Sequence, residues 1–471
     1  MSSATRLDSP TPATLRPSTA SLLRYALPAA AIGFTTLLVD AHLAKYATET
    51  LLIAPGSIAL VLLLLRVWDA FSDPLFGGLS DRTRTRWGRR RPWIAAGALP
   101  MGAGFWMIWS APGDLDAAGA VGWLAAALFL FYTGMTWIDM PHSALGAELS
   151  DDYHQRTRVS AVRRIVIGVG TLASVAAVYA FSVAPGIPTQ RSVGWWVGAF
   201  GAGFIALTCY GVIRSTPERP HLAERRPSSL LRSFRDVLQN PHARLLLGVA
   251  FLQQGGIAAL ICMLPFYSEH VIGTPELTFA YIGLVILASF AGVFLTLWIA
   301  PRLDKRSLLL GGMTSVALAL PLLMWPGRGD AAWVMAIAVF AGLAGGVCDA
   351  VGPSLQADII DYDELHTSER KEGAYFAMWT LVAKTSRGVF IALALSSLEW
   401  SGFVSNQRQT PDAELGIRLL TACVPAVLYG LGTLSFARYR LTEAEHARIR
   451  EGLSARATAR QRAPLEAREP Q

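Results

Sequence analysis

Long apolar runs alternate with short, densely charged ones along almost the whole chain, and that alternation predicts membrane-spanning helices. A helix that crosses a bilayer needs about 20 mostly apolar residues. Candidate spans fall at 22–48, 52–79, 92–112, 118–148, 160–184 and 193–214, then at 245–270, 276–300, 307–326, 331–357, 373–398 and 413–437. Between the two sets lies Thr216–Arg244, broken by Pro217, Pro220 and Pro227, with Ser229–Gln239 able to form an amphipathic surface helix. The pattern therefore predicts an all-α membrane protein of twelve transmembrane helices in two six-helix bundles. The expected division is a disordered cytoplasmic tail at 1–21, bundles at 22–215 and 245–437, a linker at 216–244 and a cytoplasmic tail at 438–471. The halves share a span count but no residue-level repeat.

Composition narrows the class. Only 16% of the 471 residues are charged, against about 25% in an average soluble domain. Twelve spans use about half the chain, which leaves no room for a large soluble domain. The four cysteines, Cys209, Cys262, Cys348 and Cys423, lie far apart in apolar runs, so neither a disulfide framework nor a zinc site is expected. No cleavable signal precedes the first span, which is expected to direct insertion itself.

Basic residues set the orientation. Arg82, Arg84, Arg86, Arg89, Arg90 and Arg91 follow the second span, and Arg302, Lys305 and Arg306 follow the eighth. The alternate loops, Ala111–Ala117 and Ser268–Glu276, lack Lys and Arg. Both termini and the linker are therefore expected in the cytoplasm. The net charge of +7 orients the chain against anionic lipid and implies no nucleic-acid partner.

Ionisable residues within spans are costly and are functional candidates by default. The second span holds Arg66, Asp69 and Asp73 at intervals of three and four, hence on one helical face. Two carboxylates one turn apart repel, so either one keeps a proton or a cation sits between them; Ser72 offers a further oxygen. A closed structural pair of Arg66 with one aspartate is the competing reading. Asp139 lies deep in the fourth span and must face a cavity or a partner, while Arg164 in the fifth either snorkels or joins a pocket. His142, one turn from Asp139, is a proton shuttle or a hydrogen-bonded interior histidine. Lys384 in the eleventh span needs a carboxylate, a bound anion or water. Asp40 and Lys45 are nearly half a turn apart in facing, so a direct pair is not expected. Asp349 follows the small-residue run GLAGGVC, so it is packing glue or a solute contact. Trp68, Trp137 and Trp379 are packing residues or platforms for a sugar face.

These residues carry a resemblance. RVWDAFSDPLFGGLSDRTRTRWGRRRPW resembles the signature of the glycoside–pentoside–hexuronide:cation symporters, the melibiose-permease type within the major facilitator superfamily. WIDMP, DDYHQRTR, ADIIDYDEL and VAK extend the likeness in order along most of the chain. It implies the major facilitator fold, a central cavity opened alternately to each side, and uptake of a glycoside driven by H⁺, Na⁺ or Li⁺. It implies no cofactor beyond the coupling ion, a monomer, and a multi-pass place in the plasma membrane, the inner membrane of a bacterium. Carried onto this chain, it makes Asp69 and Asp73 the cation site, with Ser72 in place of the family's asparagine and Thr136 near a completing threonine. Asp139 and Arg164 match the solute pocket, Lys384 the lysine between the two sites, and Arg66 the arginine one turn before the cation aspartates. The pocket carboxylate of the first helix falls at Gly33, leaving Asp40, two turns later, as the candidate replacement. The tryptophan of the tenth helix falls at Asp349.

Other classes are weaker. No HExxH, GxxxxGK[ST] or comparable catalytic set occurs, which argues against an enzyme or an ATP-driven pump. A non-transporting sensor on the same fold need not keep Asp69, Asp73 and Lys384. Within transport the alternative solute is a lysolipid or other amphiphile, since the resemblance also reaches animal lysolipid symporters.

Overall fold

The computed structural model describes residues 18–149, 153–215, 230–367, 371–441 and 443–466. Residues 1–17 of the expected tail at 1–21, residues 216–229 of the linker and Asp151–Asp152 lie outside the described residues. The first six helices are α1 (Thr19–Lys45), α2 (Pro55–Arg82), α3 (Arg91–Trp109), α4 (Ala117–Glu148), α5 (Tyr153–Ser182) and α6 (Gly186–Ser215). After the short α7 (Leu230–Gln239) come α8 (Pro241–Phe266), α9 (Thr278–Ile299), α10 (Lys305–Ala319), α11 (Ala331–Thr367), α12 (Glu372–Trp400) and α13 (Pro411–Arg418), then α14 (Val424–Phe436) and α15 (Glu443–Glu466). Among the described residues ten helical segments are long and apolar enough to cross a membrane. The charged α2 and the Gly- and Pro-bearing α3 complete the twelve, with α13 and α14 joined by the π turn Leu419–Cys423 as one span.

Local chemistry sets the ends. Proline at the first position starts α2, α8 and α13 without sacrificing a hydrogen bond. Asp116 and Asn240 cap α4 and α8, accepting from Gly119 N at 2.8 Å and His242 N at 3.0 Å.

The two halves repeat in space. In the first, α1 packs on α5 and α6, and α3 on α4 and α6; in the second, α8 packs on α12 and α14, and α10 on α11 and α14. The first helix of each half ends in a π turn opened by a tyrosine, Tyr46–Thr50 and Tyr267–Ile272. Tyr46 Oη donates to the Trp109 carbonyl at 2.9 Å and Tyr267 Oη to the Leu323 carbonyl at 2.7 Å. The duplication is thus a property of packing, invisible as a residue repeat. The halves meet along α2–α12, α5–α9 and α1–α8.

Two further helices lie on the face that carries Ser18, the first of them the amphipathic helix expected at 229–239. The amphipathic α7 docks on α12, with Val237 buried and Asp236 pairing with Lys371 at 3.1 Å. The tail after 438 contains α15, which packs on α11 through buried Ile449 and through His446, 3.1 Å from Asp361.

Candidate functional site

Where the halves meet, halfway along the helices, α1, α2, α4 and α12 enclose a cavity of about 80 Å³. Each helix offers one face: Thr36, Val39, Asp40 and Leu43 from α1, Leu62, Arg66 and Asp69 from α2, Tyr132 and Thr136 from α4, and Lys384, Arg387, Gly388 and Ile391 from α12. The intervals of three and four are those of one helical face. Cys262 of α8 completes the wall.

The charges form pairs. Arg66 Nη1 donates to Asp69 Oδ2 at 2.9 Å, and its guanidinium lies 4.2 Å from the centre of the Tyr132 ring. Asp73 is bonded on both oxygens: Lys384 Nζ donates to Oδ2 at 2.6 Å and Thr136 Oγ1 to Oδ1 at 2.8 Å. The Asp73–Lys384 bond joins the two halves. Asp40 also reaches across, 3.7 Å from Arg387 Nη1, while Arg387 donates from Nε and Nη2 to Gln254 Oε1 at 3.0 and 2.9 Å. Asp69 differs. It is buried, and its Oδ1 has no hydrogen-bond partner among the described residues. A buried carboxylate oxygen without a donor is costly, and it is where a proton or a hard cation gains most. Ser72 is fully buried beside it, its hydroxyl 3.5 Å from the Asp69 carbonyl.

The structure thus places Asp40, Arg66, Asp69, Thr136 and Lys384 in the lining of one cavity, with Asp73 behind it, bonded to Thr136 and Lys384, and Ser72 beside Asp69. It does not bring Asp139, Arg164 or Asp349 into that lining. The Asp139 carboxylate is bonded by Arg163, not Arg164, and Arg163 Nε lies 3.4 Å from His142 Nδ1. His142 is sealed in: Nε2 is 2.7 Å from the Tyr25 carbonyl and its ring stacks on Tyr25 at 4.5 Å. That is the hydrogen-bonded interior histidine rather than a shuttle. Arg164, one residue on, points about 100° away around the helix and is exposed, as is Asp349, with which it interacts electrostatically. Asp349 Oδ2 accepts from Ser289 Oγ at 3.4 Å, where α9 and α11 approach closely. Trp68 and Trp137 are packing residues, on Phe129 and on Phe76 and Trp93.

Gly33 explains the missing first-helix carboxylate. A Cβ there would run into the Ile167 carbonyl oxygen of α5, with Thr171 Oγ1 at 3.0 Å, and a Cβ on Gly170 would run into the Ala30 carbonyl. The α1–α5 crossing is therefore closed at this level, whereas Asp40 opens on the cavity. Sequence reasoning missed Arg387, Tyr132 and Gln254 as cavity neighbours. Arg387 alone had a signal, being one turn from Lys384.

Two repeated bundles around a charged central cavity define a multi-pass membrane carrier. The model of the MFS/sugar transport protein family matches residues 24–443, and the chain belongs to that family. It is 24% identical to the isoprimeverose transporter of Lactiplantibacillus pentosus, over 89% of this chain and 88% of the relative. It is 26% identical to the sodium-dependent lysophosphatidylcholine symporter 1-B of Danio rerio, over 91% and 88%. The crystal structure of a D-xylose-proton symporter matches 89% of this chain and 97% of its own with a TM-score of 0.63. At 14% identity, that match shows a common fold.

Proposed function

We propose that the chain is a cation-coupled symporter of a glycoside or other small sugar-like solute, working by alternating access in the plasma membrane with both termini cytoplasmic. The observation that carries the reading is the buried, donorless Oδ1 of Asp69 beside the fully bonded Asp73. In this reading Asp69 and Asp73, with Thr136 and Ser72, hold H⁺ or Na⁺. Asp40, Lys384 and Arg387 hold solute hydroxyls, because charged donors and acceptors bind hydroxyls more tightly than neutral ones. Lys384 serves both, since any solute drawing on its ammonium alters its hold on Asp73. Asp139, held by Arg163, and Arg164 lie outside the cavity wall and take no part in holding the solute in this reading.

The test is thermal stabilisation of purified protein by sugars, sugar acids and lysolipids, with and without Na⁺, at several pH values. A ligand at 100 times its dissociation constant stabilises by about 2.7 kcal/mol. A hydroxyl-rich solute that stabilises more when the cation is present supports the reading. Stabilisation by lysolipid alone favours the second reading, an amphiphile symporter, to which the Danio rerio relative gives weight.

A further inference from the structure

The face away from Ser18 and α15 is closed by a buried charge cluster that the central cavity does not use. It joins the π turns that end α1 and α8, the first helix of each half. Glu49 accepts from Lys45 and lies 2.8 Å from His270 Nε2. Lys45 Nζ pairs in addition with Glu269 of the second half. Asn406 Nδ2 donates to the Glu49 carbonyl at 2.7 Å. The side chains of Glu49 and His270 are only 3% and 8% exposed, so this pair across the halves is largely out of water.

Three features mark the cluster as a switch rather than a fixed clasp. Among the described residues, the non-glycine positions with left-handed backbone are Leu52 and Asn406, both at φ 58°. Leucine is strained there by its Cβ, and such strain persists only where the surroundings impose it. A cavity of about 340 Å³ lies against Lys45, Glu49, Glu269 and Asn406, ample for water to reach the charges. The charge balance also depends on one histidine. Lys45, Glu49 and Glu269 sum to one negative charge, which a protonated His270 cancels. Glu49, Glu269 and His270 have the makings of a metal site, their ligand atoms all within 4.8 Å. Lys45, however, already places an ammonium on both carboxylates.

We infer that this cluster is the outer latch of the transport cycle, held shut by a proton that His270 takes from the solution on that side. The inference rests on the alternating-access reading above. Opening parts Glu49 from His270 and Lys45 from Glu269. A charged imidazolium bonds a carboxylate about twice as strongly as a neutral imidazole does, so protonation favours the closed state. By reciprocity the closed state binds that proton more tightly. The proton's hold is greatest at low pH and is lost as pH rises; the Lys45 arm remains. The other charged groups near the turn are Glu276, just beyond it, Arg328, which lies against Gly273 at its end, Asp330, which acts on Tyr267, and Asp412, Glu414 and Arg418 of α13, which packs on it. Arg418 is engaged by Glu414 at 3.0 Å and by the Met324 and Pro326 carbonyls.

Cys262, buried in the central cavity wall, provides the readout. A membrane-impermeant maleimide added outside intact cells reaches it only when the latch opens, and the modified peptide is identified by mass spectrometry. His270→Gln keeps a hydrogen-bond donor without the charge. The ratio of His270→Gln to wild-type labelling should fall from about ten in acid to about one in alkali, a coupling of ordinary size between two sites. Glu269→Gln should raise labelling at every pH and keep the pH dependence. Equal labelling of wild type and His270→Gln at all pH values overturns the latch, as does a Glu269→Gln protein that labels no faster. If Asp69→Asn rather than His270→Gln removes the pH dependence, the proton acts at the coupling site; the latch then falls and the symport reading stands.

Discussion

Gly33→Asp puts the first-helix carboxylate of related symporters back into this chain, and the structure says it cannot be accommodated. The Cβ alone would overlap the Ile167 carbonyl oxygen and sit 3.0 Å from both the Ile167 carbonyl carbon and Thr171 Oγ1. Ordinary carbon contacts lie near 3.5–4.0 Å, so α1 and α5 must separate by about 1 Å. Overpacking of this kind costs about 1–3 kcal/mol, which is the loss expected for Gly33→Ala. The aspartate adds a buried carboxylate to that tight crossing, for several kcal/mol more. Gly170→Ala strains the same crossing from the other helix. The Gly33→Ala, Gly170→Ala pair should therefore cost less than the sum, because one separation relieves both. The assay is thermal unfolding of purified protein alongside membrane yield. Gly33→Ala should unfold several degrees lower and Gly33→Asp should barely accumulate. A Gly33→Asp protein that folds with wild-type stability and binds solute more tightly would refute the reasoning and move the solute pocket to the α1–α5 crossing.

Asp40→Asn should weaken solute binding about tenfold, a little over 1 kcal/mol for one charged hydrogen bond, with cation affinity unchanged; binding titrations at fixed Na⁺ and pH check it. Asp139→Asn leaves Arg163 without its carboxylate. With both side chains partly wetted, at 21% and 17% exposure, the loss should be about 1–3 kcal/mol, below the 3–5 kcal/mol of a fully buried pair. It should lower thermal stability and leave solute affinity near wild type, and a large fall in affinity at unchanged stability would put Asp139 in the pocket. Thr136→Val removes the donor to Asp73 Oδ1 and should raise the cation concentration needed for half-maximal uptake several-fold, as a buried hydrogen bond is worth about 1 kcal/mol.

The hydropathy pattern reveals the two sets of six spans because a bilayer demands long apolar helices whatever their tertiary partners. The residues of the α2 motif were legible for a similar reason: Arg66, Asp69 and Asp73 share a face that any fold must keep off lipid. What the pattern could not supply is facing between helices. Arg163 and Arg164 are adjacent in sequence, and only the packing of α4 on α5 selects the first for Asp139. The pairs Asp40–Arg387 and Asp73–Lys384 join residues more than three hundred positions apart, and no periodicity encodes that. The loop expected at Ser268–Glu276 hides a π turn, because its chemistry is set by the buried partner Glu49. The tail after 438 reads only as a basic cytoplasmic segment, yet α15 is held by Ile449 and His446 against α11, a surface that exists only once the bundle has formed.

The central claim is that Asp69 and Asp73 carry the coupling cation, and uptake by reconstituted Asp69→Asn, Asp73→Asn protein tests it most directly. Accumulation against a gradient and exchange without one are measured side by side in vesicles, with folding checked by unfolding temperature. The account predicts that uphill accumulation disappears while exchange of solute persists. Concentrative uptake at the wild-type level by the folded double variant would contradict it.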